Sequence, residues 1–170
     1  MEYELLEPTE EHFRQMYDWV VNDNQMAHYT CREIRPMPAY TEWLDKKLSD
    51  QRKSNIILKA MIASDNRNTC IGRFKAFDYN SRNQNFEIGY YFPIHLRGKG
   101  LGTIGLPQFI NEVFSNPLPV RKLTAWTSEK NIPSQKLLIK SGFCLDGQLR
   151  DHFEINGSYC KQLIYSYIRQ

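Results

Sequence analysis

Apolar residues recur at helical spacing in two stretches of the first third of the chain. In the first stretch they fall at i, i+3, i+4 and i+7, which places them on one face of an α-helix, and Thr9 is a suitable N-cap before them. A second helix is predicted with Thr41 as its cap. The predicted stripes contain Phe13, Met16, Tyr17 and Val20 in the first helix, and Leu44 and Leu48 beside Trp43 in the second.

Alternating apolar residues and turn signals predict strands along the rest of the chain. Their predicted ranges are residues 3–6, 55–63, 70–79, 86–92, 122–127, 143–154 and 159–168, with helices from the loop after residue 92 to about residue 115 and from 132 to 141. Asn156-Gly157 is a strong hairpin signal between the last two strands. Pro107 predicts either a kink or a short first segment in its helix.

This order of elements predicts one α/β (α+β) domain over residues 1–170. The domain would contain a mixed, mostly antiparallel sheet of about six or seven strands with helices on both faces. Alternation within residues 86–92 further predicts that Phe86 and Ile88 face the core, whereas Glu87, Gly89 and Tyr91 face the opposite side.

Composition narrows the class of protein only modestly. The chain has 170 residues with 41% hydrophobic and 24% charged residues, and its net charge of +3 is too small to indicate nucleic acid. Cys31, Cys70, Cys144 and Cys160 form no metal-binding pattern with each other or with histidine, so no metal is predicted. Because the N-terminus lacks signal-peptide features and no apolar run could span a membrane, we expect a cytoplasmic protein with no membrane partner.

A glycine-rich loop joins the strand of residues 86–92 to the following helix. The first N–H groups of a helix have no intrahelical partners and carry about half a positive charge from the helix dipole, so this junction suits a phosphate, although a structural turn would look similar. Glycine permits positive φ and close approach of a ligand, and the two basic residues add charge. The loop reads Arg97-Gly98-Lys99-Gly100-Leu101-Gly102.

A second motif begins at Asn131, continues to Ser134 and ends at Gly142-Phe143. Asn131 suits an N-cap and Gly142 suits the position after a helix C-cap, so an ordinary capped helix explains part of the pattern. Together with Arg-x-x-Gly-x-Gly after a strand, however, this Asn-x-x-Ser helix resembles the GNAT superfamily of N-acetyltransferases. The C-terminal Gly147-Gln148-Leu149-Arg150 segment is similar to the branch that includes ribosomal-protein N-terminal acetyltransferases.

The resemblance implies that acetyl-CoA is the acetyl donor, with its pantetheine arm in an opening between the fourth and fifth strands. The arm would contact Asn131, and backbone N–H groups near Tyr91 and Phe92 would bind the thioester carbonyl. The residues that would hold the pyrophosphate are Arg97, Gly98, Lys99, Gly100, Leu101 and Gly102.

The resemblance also implies direct attack by an amine, which requires a general base and a general acid. Glu87 is the candidate base, acting through water, and Ser134 is the candidate acid. Glu87 is equally compatible with a solvated or paired carboxylate, and Ser134 with a role in the first helical turn. Many members carry a tyrosine acid where this chain has Leu138. Tyr90 and Tyr91 are the candidate replacements, although an aromatic residue on a strand is more often part of the core.

The acceptor is predicted only by class. A protein N-terminal amine is the leading interpretation, and a small-molecule amine (amino sugar, polyamine or antibiotic) is the alternative. A regulatory domain that binds coenzyme A without catalysis is a third hypothesis, suggested by Leu138. The chain is expected to be a monomer or a homodimer.

Overall fold

The computed structural model describes residues 2–30 and 35–169. A 3₁₀ turn, Ile94–Leu96, precedes the fourth helix. The elements are, in order, β1 (Tyr3–Leu6), α1 (Glu10–Asn22), α2 (Met26–Tyr29), α3 (Tyr40–Gln51), β2 (Ile57–Ala63), β3 (Asn66–Asn80), β4 (Asn85–Tyr91), α4 (Leu101–Phe114), β5 (Lys122–Ser128), α5 (Ile132–Lys140), β6 (Cys144–Ile155) and β7 (Ser158–Ile168).

The seven strands form one sheet in the order β1-β2-β3-β4-β5-β7-β6. Neighbouring strands are antiparallel except for β4 and β5, which are parallel. The predicted mixed, mostly antiparallel sheet is therefore confirmed. At the predicted hairpin, Asn156 and Gly157 have φ angles of 52° and 74°, the positive pair that a two-residue type I′ turn requires.

The parallel pairing of β4 with β5 is short. It consists of Asn85 with Lys122, Phe86 with Leu123, and Glu87 with Thr124. We call these three pairs the seam. Beyond the seam, β4 continues to Tyr91 and β5 continues to Ser128 without pairing with each other. The sheet therefore opens between the two strands, as the family resemblance implied.

Helices cover both faces of the sheet, so the predicted layers are confirmed. On one face, α4 and α5 cover a core that includes Phe74, Phe86 and Leu123. On the other, α1 and α3 pack Phe13 and Trp43 against β2. We call these the α4/α5 face and the α1/α3 face.

Capping groups explain where two of the helices begin and end. Thr9 and His12 bond reciprocally at the start of α1, with the Thr9 Oγ1 atom 3.3 Å from the His12 N–H nitrogen. At α5, Asn131 Oδ1 accepts a hydrogen bond of 3.2 Å from the Ser134 N–H. Gly142 follows the C-cap at φ 89°, so both predicted ends of α5 are confirmed.

One prediction about helix geometry is wrong and another is narrowed. Thr41 does not cap α3, because the helix already includes Tyr40 and its N-cap is Ala39, which makes no side-chain capping bond. Pro107 does not end a short first segment, since α4 continues through it from Leu101 to Phe114, and the alternative of a kink stays a prediction. Its ring is exposed to solvent, so it does not displace any core contact.

Candidate active site

The glycine loop presents an open set of backbone donors. Gly98 and Gly100 have φ angles of 76° and 78°, the positive values predicted for them, and Gly100 is the N-cap of α4. A side chain at Gly98 would meet no atom within 4 Å, so the outside of the loop is open. Within the described residues, the backbone N–H groups of residues 98–102 donate no hydrogen bond. This arrangement fits a pyrophosphate.

Gly102 differs from its prediction. It lies inside α4 and does not have the positive φ expected of it. A Cβ atom at Gly102 would lie 2.6 Å from Leu137 Cδ2, so the glycine is needed for the close approach of α4 to α5. Leu101 is buried in the core, which leaves only its backbone for a ligand, whereas Lys99 is exposed.

Arg97 points away from the loop towards α1. Its Nε donates a hydrogen bond to the Phe92 carbonyl at 2.9 Å, and Nη2 pairs with Asp23 Oδ2 at 2.5 Å. Its guanidinium also lies 5.3 Å from the ring centres of Tyr91 and Tyr29. Nη1 is buried and has no partner among the described residues. Contact between Arg97 and a pyrophosphate stays a prediction.

Asp23 is the residue of this site that sequence reasoning missed. It is the C-cap of α1, its side chain has no exposed surface, and Tyr91 donates a hydrogen bond of 2.6 Å to it. Burial opposes ionisation, but the hydrogen bonds from Tyr91 and Arg97 outweigh burial and hold the pKa of Asp23 below its ordinary value. No local pattern marks this aspartate, because both partners are about 70 residues away in sequence.

Ser134 and Tyr90 meet on the α4/α5 face of the opening. Ser134 Oγ in the first turn of α5 lies 2.7 Å from the Tyr90 hydroxyl on β4. Burial raises the pKa of Tyr90 to about 12, despite the opposing effect of its hydrogen bond with Ser134. Tyr90 therefore keeps its proton at neutral pH. The Asn131 cap holds the backbone of Ser134 in place.

Glu87 lies on the other face of the sheet, at the last pair of the seam. It is half-buried and stands opposite Thr124 of β5 and Phe77 of β3. Leu138 is 1% exposed and belongs to the core, so the chain offers no hydroxyl at that position. The predicted acid and base thus approach the same opening from opposite faces.

Other candidate chemistry is limited in the part of the chain that the structure describes. No group of three or more His, Cys, Asp or Glu side chains there could hold a metal ion. Cys70 and Cys160 are buried and Cys144 is exposed, all three as free thiols, while Cys31 lies outside the described residues. In residues 2–30 and 35–169, every helix is too short or too polar to cross a bilayer.

Residues 3–144 match the sequence profile of the acetyltransferase (GNAT) domain. The chain belongs to the GNAT acetyltransferase family. Membership confirms that this GNAT protein is an acyltransferase with acetyl-CoA as its donor. It is also 27% identical over 131 residues to an SPbeta prophage-derived uncharacterized N-acetyltransferase, YokL, of Bacillus subtilis (strain 168). The aligned region covers 76% of this chain and 69% of the relative.

Solved structures share the fold of this GNAT protein. Spermidine N-acetyltransferase from Vibrio cholerae, in complex with CoA and spermine, superposes with a TM-score of 0.85 at 18% identity, covering 98% of this chain and 95% of that one. RimL, a ribosomal L7/L12 α-N-protein acetyltransferase in complex with CoA, gives 0.82 at 15% identity, covering 98% and 93%. At these identities the likeness shows the fold alone.

Proposed function

We propose that this protein transfers the acetyl group of acetyl-CoA directly to the N-terminal α-amine of a peptide or protein. The observation that carries the proposal is the opening of the sheet beyond Glu87 and Thr124. The Ser134 and Tyr90 hydroxyls lie on one side of this opening and Glu87 lies on the other. Donor and acceptor would meet in it from opposite faces, with no acetyl-enzyme.

The donor would be held mainly by backbone groups. The N–H groups of residues 98–102 would bind the pyrophosphate at the N-terminus of α4. Asn131 would contact the arm of the coenzyme through its amide, since among the described residues its Nδ2 makes only a long contact of 3.5 Å, with the Tyr29 carbonyl. Backbone N–H groups near Tyr91 and Phe92 would bind the thioester carbonyl.

Bound acetyl-CoA supplies an activated acyl carbon and a thiolate leaving group. Ser134 would donate its hydroxyl proton to the departing sulfur, and Tyr90 would restore that proton through the 2.7 Å hydrogen bond. Glu87, acting through water, would remove the proton that the ammonium of the acceptor must lose. The C–N bond forms as the C–S bond breaks. The nitrogen then loses its second proton, which returns through solvent to Tyr90, so the products are the amide, the thiol and the one proton taken by Glu87.

The surface beside the opening supports a peptide acceptor. Trp126 lies two residues beyond Thr124 on the same face of β5, opposite Ile164, and it is 46% exposed. An exposed aromatic surface next to the reacting amine suits the residues that follow a peptide N-terminus.

Two clefts of about 350 and 360 Å³ lie at the C-terminal end of α4 and contain none of the predicted site residues.

The test is release of coenzyme A thiol from acetyl-CoA with a panel of acceptors. Peptides with a free N-terminus should support turnover, and the same peptides with an acetylated N-terminus should not. Turnover with spermidine or glucosamine, but with none of the peptides, would show that the acceptor is a small amine. Stabilisation by acetyl-CoA without turnover on any acceptor would reject catalysis in favour of coenzyme binding alone.

A further inference from the structure

Two basic side chains on the α1/α3 face have no hydrogen-bonded or ion-paired anion among the described residues. Arg73 on β3 lies opposite Tyr91, and its guanidinium is 5.5 Å from the centre of that ring. Lys47 on α3 has its Nζ atom 5.0 Å from the centre of the Trp43 ring. Among residues 2–30 and 35–169, neither cation forms a hydrogen bond or an ion pair.

Asp50, a carboxylate of the same layer, is already paired with two lysines. Asp50 is buried and pairs with Lys75 at 2.9 Å and with Lys53 at 3.0 Å. It therefore balances two lysines already. Arg73 and Lys47 are half-buried and remain in contact with solvent, so a small anion has access to them.

Leaving these charges together is unfavourable for the protein alone. Burial, together with the charges of Arg73 and Lys75, lowers the pKa of Lys47 to about 7. An anion between Arg73 and Lys47 would remove this repulsion. Unpaired half-buried charges beside a cleft are typical of binding sites.

The register of the sheet places Arg73 on the same face as Glu87. Arg73 stands opposite Tyr91, which is four residues, or about 13 Å, along β4 from Glu87, and Lys75 stands opposite Gly89 between them. Among the described residues, a Cβ atom at Gly89 would meet only Phe77, at 3.6 Å, so they leave this part of the face open. An acceptor that extends along this face from an amine near Glu87 would reach Arg73.

We propose that Arg73 and Lys47 bind a carboxylate or phosphate group that the acceptor carries next to its reacting amine. This inference rests on the proposed function, because it specifies the acceptor of the same site. The planar guanidinium of Arg73 suits two-point contact with either anion, and Lys47 adds a point charge. A polycation such as spermidine would be repelled by the same pair.

The test uses matched acceptors that differ in one negative charge. One pair is the amidated tetrapeptides Ser-Glu-Ala-Ala and Ser-Gln-Ala-Ala, and the other is glucosamine 6-phosphate and glucosamine. One of the two pairs contains the class of acceptor that the protein uses. Within that pair, the KM of wild-type protein should be about tenfold lower for the charged member. Arg73→Met and Lys47→Met should each abolish this difference by raising the KM of the charged member. Lys46→Met, which removes an exposed charge from the same helix, should retain it.

Equal KM values for the charged and neutral members in wild-type protein would overturn the inference. So would an equal loss of kcat on both members in Arg73→Met, which would indicate a structural role. If no acceptor is acetylated, the proposed function fails separately, and calorimetry with inorganic phosphate on CoA-saturated protein decides the inference. Phosphate binding that is lost in both variants and retained in Lys46→Met supports it, and any other phosphate result rejects it.

Discussion

The Tyr90 hydroxyl and Ser134 Oγ are hydrogen-bonded at 2.7 Å although 44 residues separate them in sequence. The bond connects β4 to the first turn of α5 beside the opening of the sheet. Because the two hydroxyls share a proton, their contributions to catalysis should not be additive.

We expect Ser134→Ala to lower kcat about 100-fold, because the thiolate then leaves without a proton donor. Tyr90→Phe should lower kcat about tenfold, and the double variant should match Ser134→Ala. Thiol release at saturating substrates measures these effects. Ser141→Ala is the matched control, since it removes a serine from the other end of α5 whose Oγ has no partner in the described structure. Full activity of Ser134→Ala would remove the serine from the mechanism.

Glu87→Gln should lower kcat/KM about 100-fold at neutral pH, where the acceptor amine still carries the proton that Glu87 is proposed to remove. The loss should shrink at high pH, because the amine is then already neutral. Glu42→Gln, an exposed change on α3, serves as the control for the loss of one carboxylate. Full turnover of Glu87→Gln across the pH range contradicts the proposed base.

Gly100→Val should abolish the stabilisation of the protein by acetyl-CoA. Saturating ligand, at about 100 times its dissociation constant, should add roughly 2.7 kcal/mol to the free energy of unfolding of wild-type protein. Gly157→Val is a matched control, because Gly157 also has a positive φ, 74°, and open surroundings. Both variants should lose about 1–2 kcal/mol of stability from backbone strain. An unchanged acetyl-CoA shift in Gly100→Val would show that the loop is only a turn.

Asp23→Asn should destabilise the protein by about 2 kcal/mol at pH 7, because the buried carboxylate accepts charge-assisted hydrogen bonds. The folded pKa of Asp23 is lowered, so its contribution is present above the ordinary aspartate pKa and is lost as pH falls through the folded pKa. The difference between wild type and variant in urea unfolding should therefore shrink in acid. Asp18→Asn, an exposed change on the same helix, should have little effect at any pH.

Lys47→Met should raise the melting temperature at pH 7. Burial and the charges of Arg73, Lys75 and Lys46 lower the pKa of Lys47 to about 7, and Asp50 offsets them only in part. The unfolded chain binds this proton up to a pKa of about 10.4, so protonation opposes folding at neutral pH and the cost declines as pH rises towards 10.

The melting temperatures of Lys47→Met and wild type should converge over the same interval. Lys46→Met, which removes an exposed charge, should show no comparable pH dependence. A lower melting temperature for Lys47→Met at pH 7 would contradict an unpaired charge at this position.

Local signals predicted the elements that depend on local chemistry. The Asn131 cap, Gly142 and the Asn156-Gly157 turn each act over a few residues, so the sequence could reveal them. The predicted start of α3 was wrong because a tertiary contact decides it. The centre of the Tyr40 ring lies 5.3 Å from that of Tyr17 on α1. The single turn of α2 has no periodic pattern long enough to recognise.

The charged parts of the candidate site could not be predicted in the same way. Asp23 meets Arg97 only after α1 has packed on the sheet. Arg73 reaches Tyr91 through strand register, and Lys47 is brought near by α3. Such contacts depend on the topology as a whole, whereas the glycine loop lies within one short segment.

The seam of three residue pairs also bears on the order in which the chain folds during its synthesis. The hydrogen bonds among β1 to β4 involve no residue beyond 91, whereas β5, β6 and β7 pair among themselves after it, and α4 and α5 cover the first group. The first group is synthesised before β5, and folding during synthesis generally starts from the N-terminal side. We expect pulse-labelled amides of β1 to β4 to gain protection first. The opening that is proposed to hold both substrates would then be the last part of the molecule to acquire its shape.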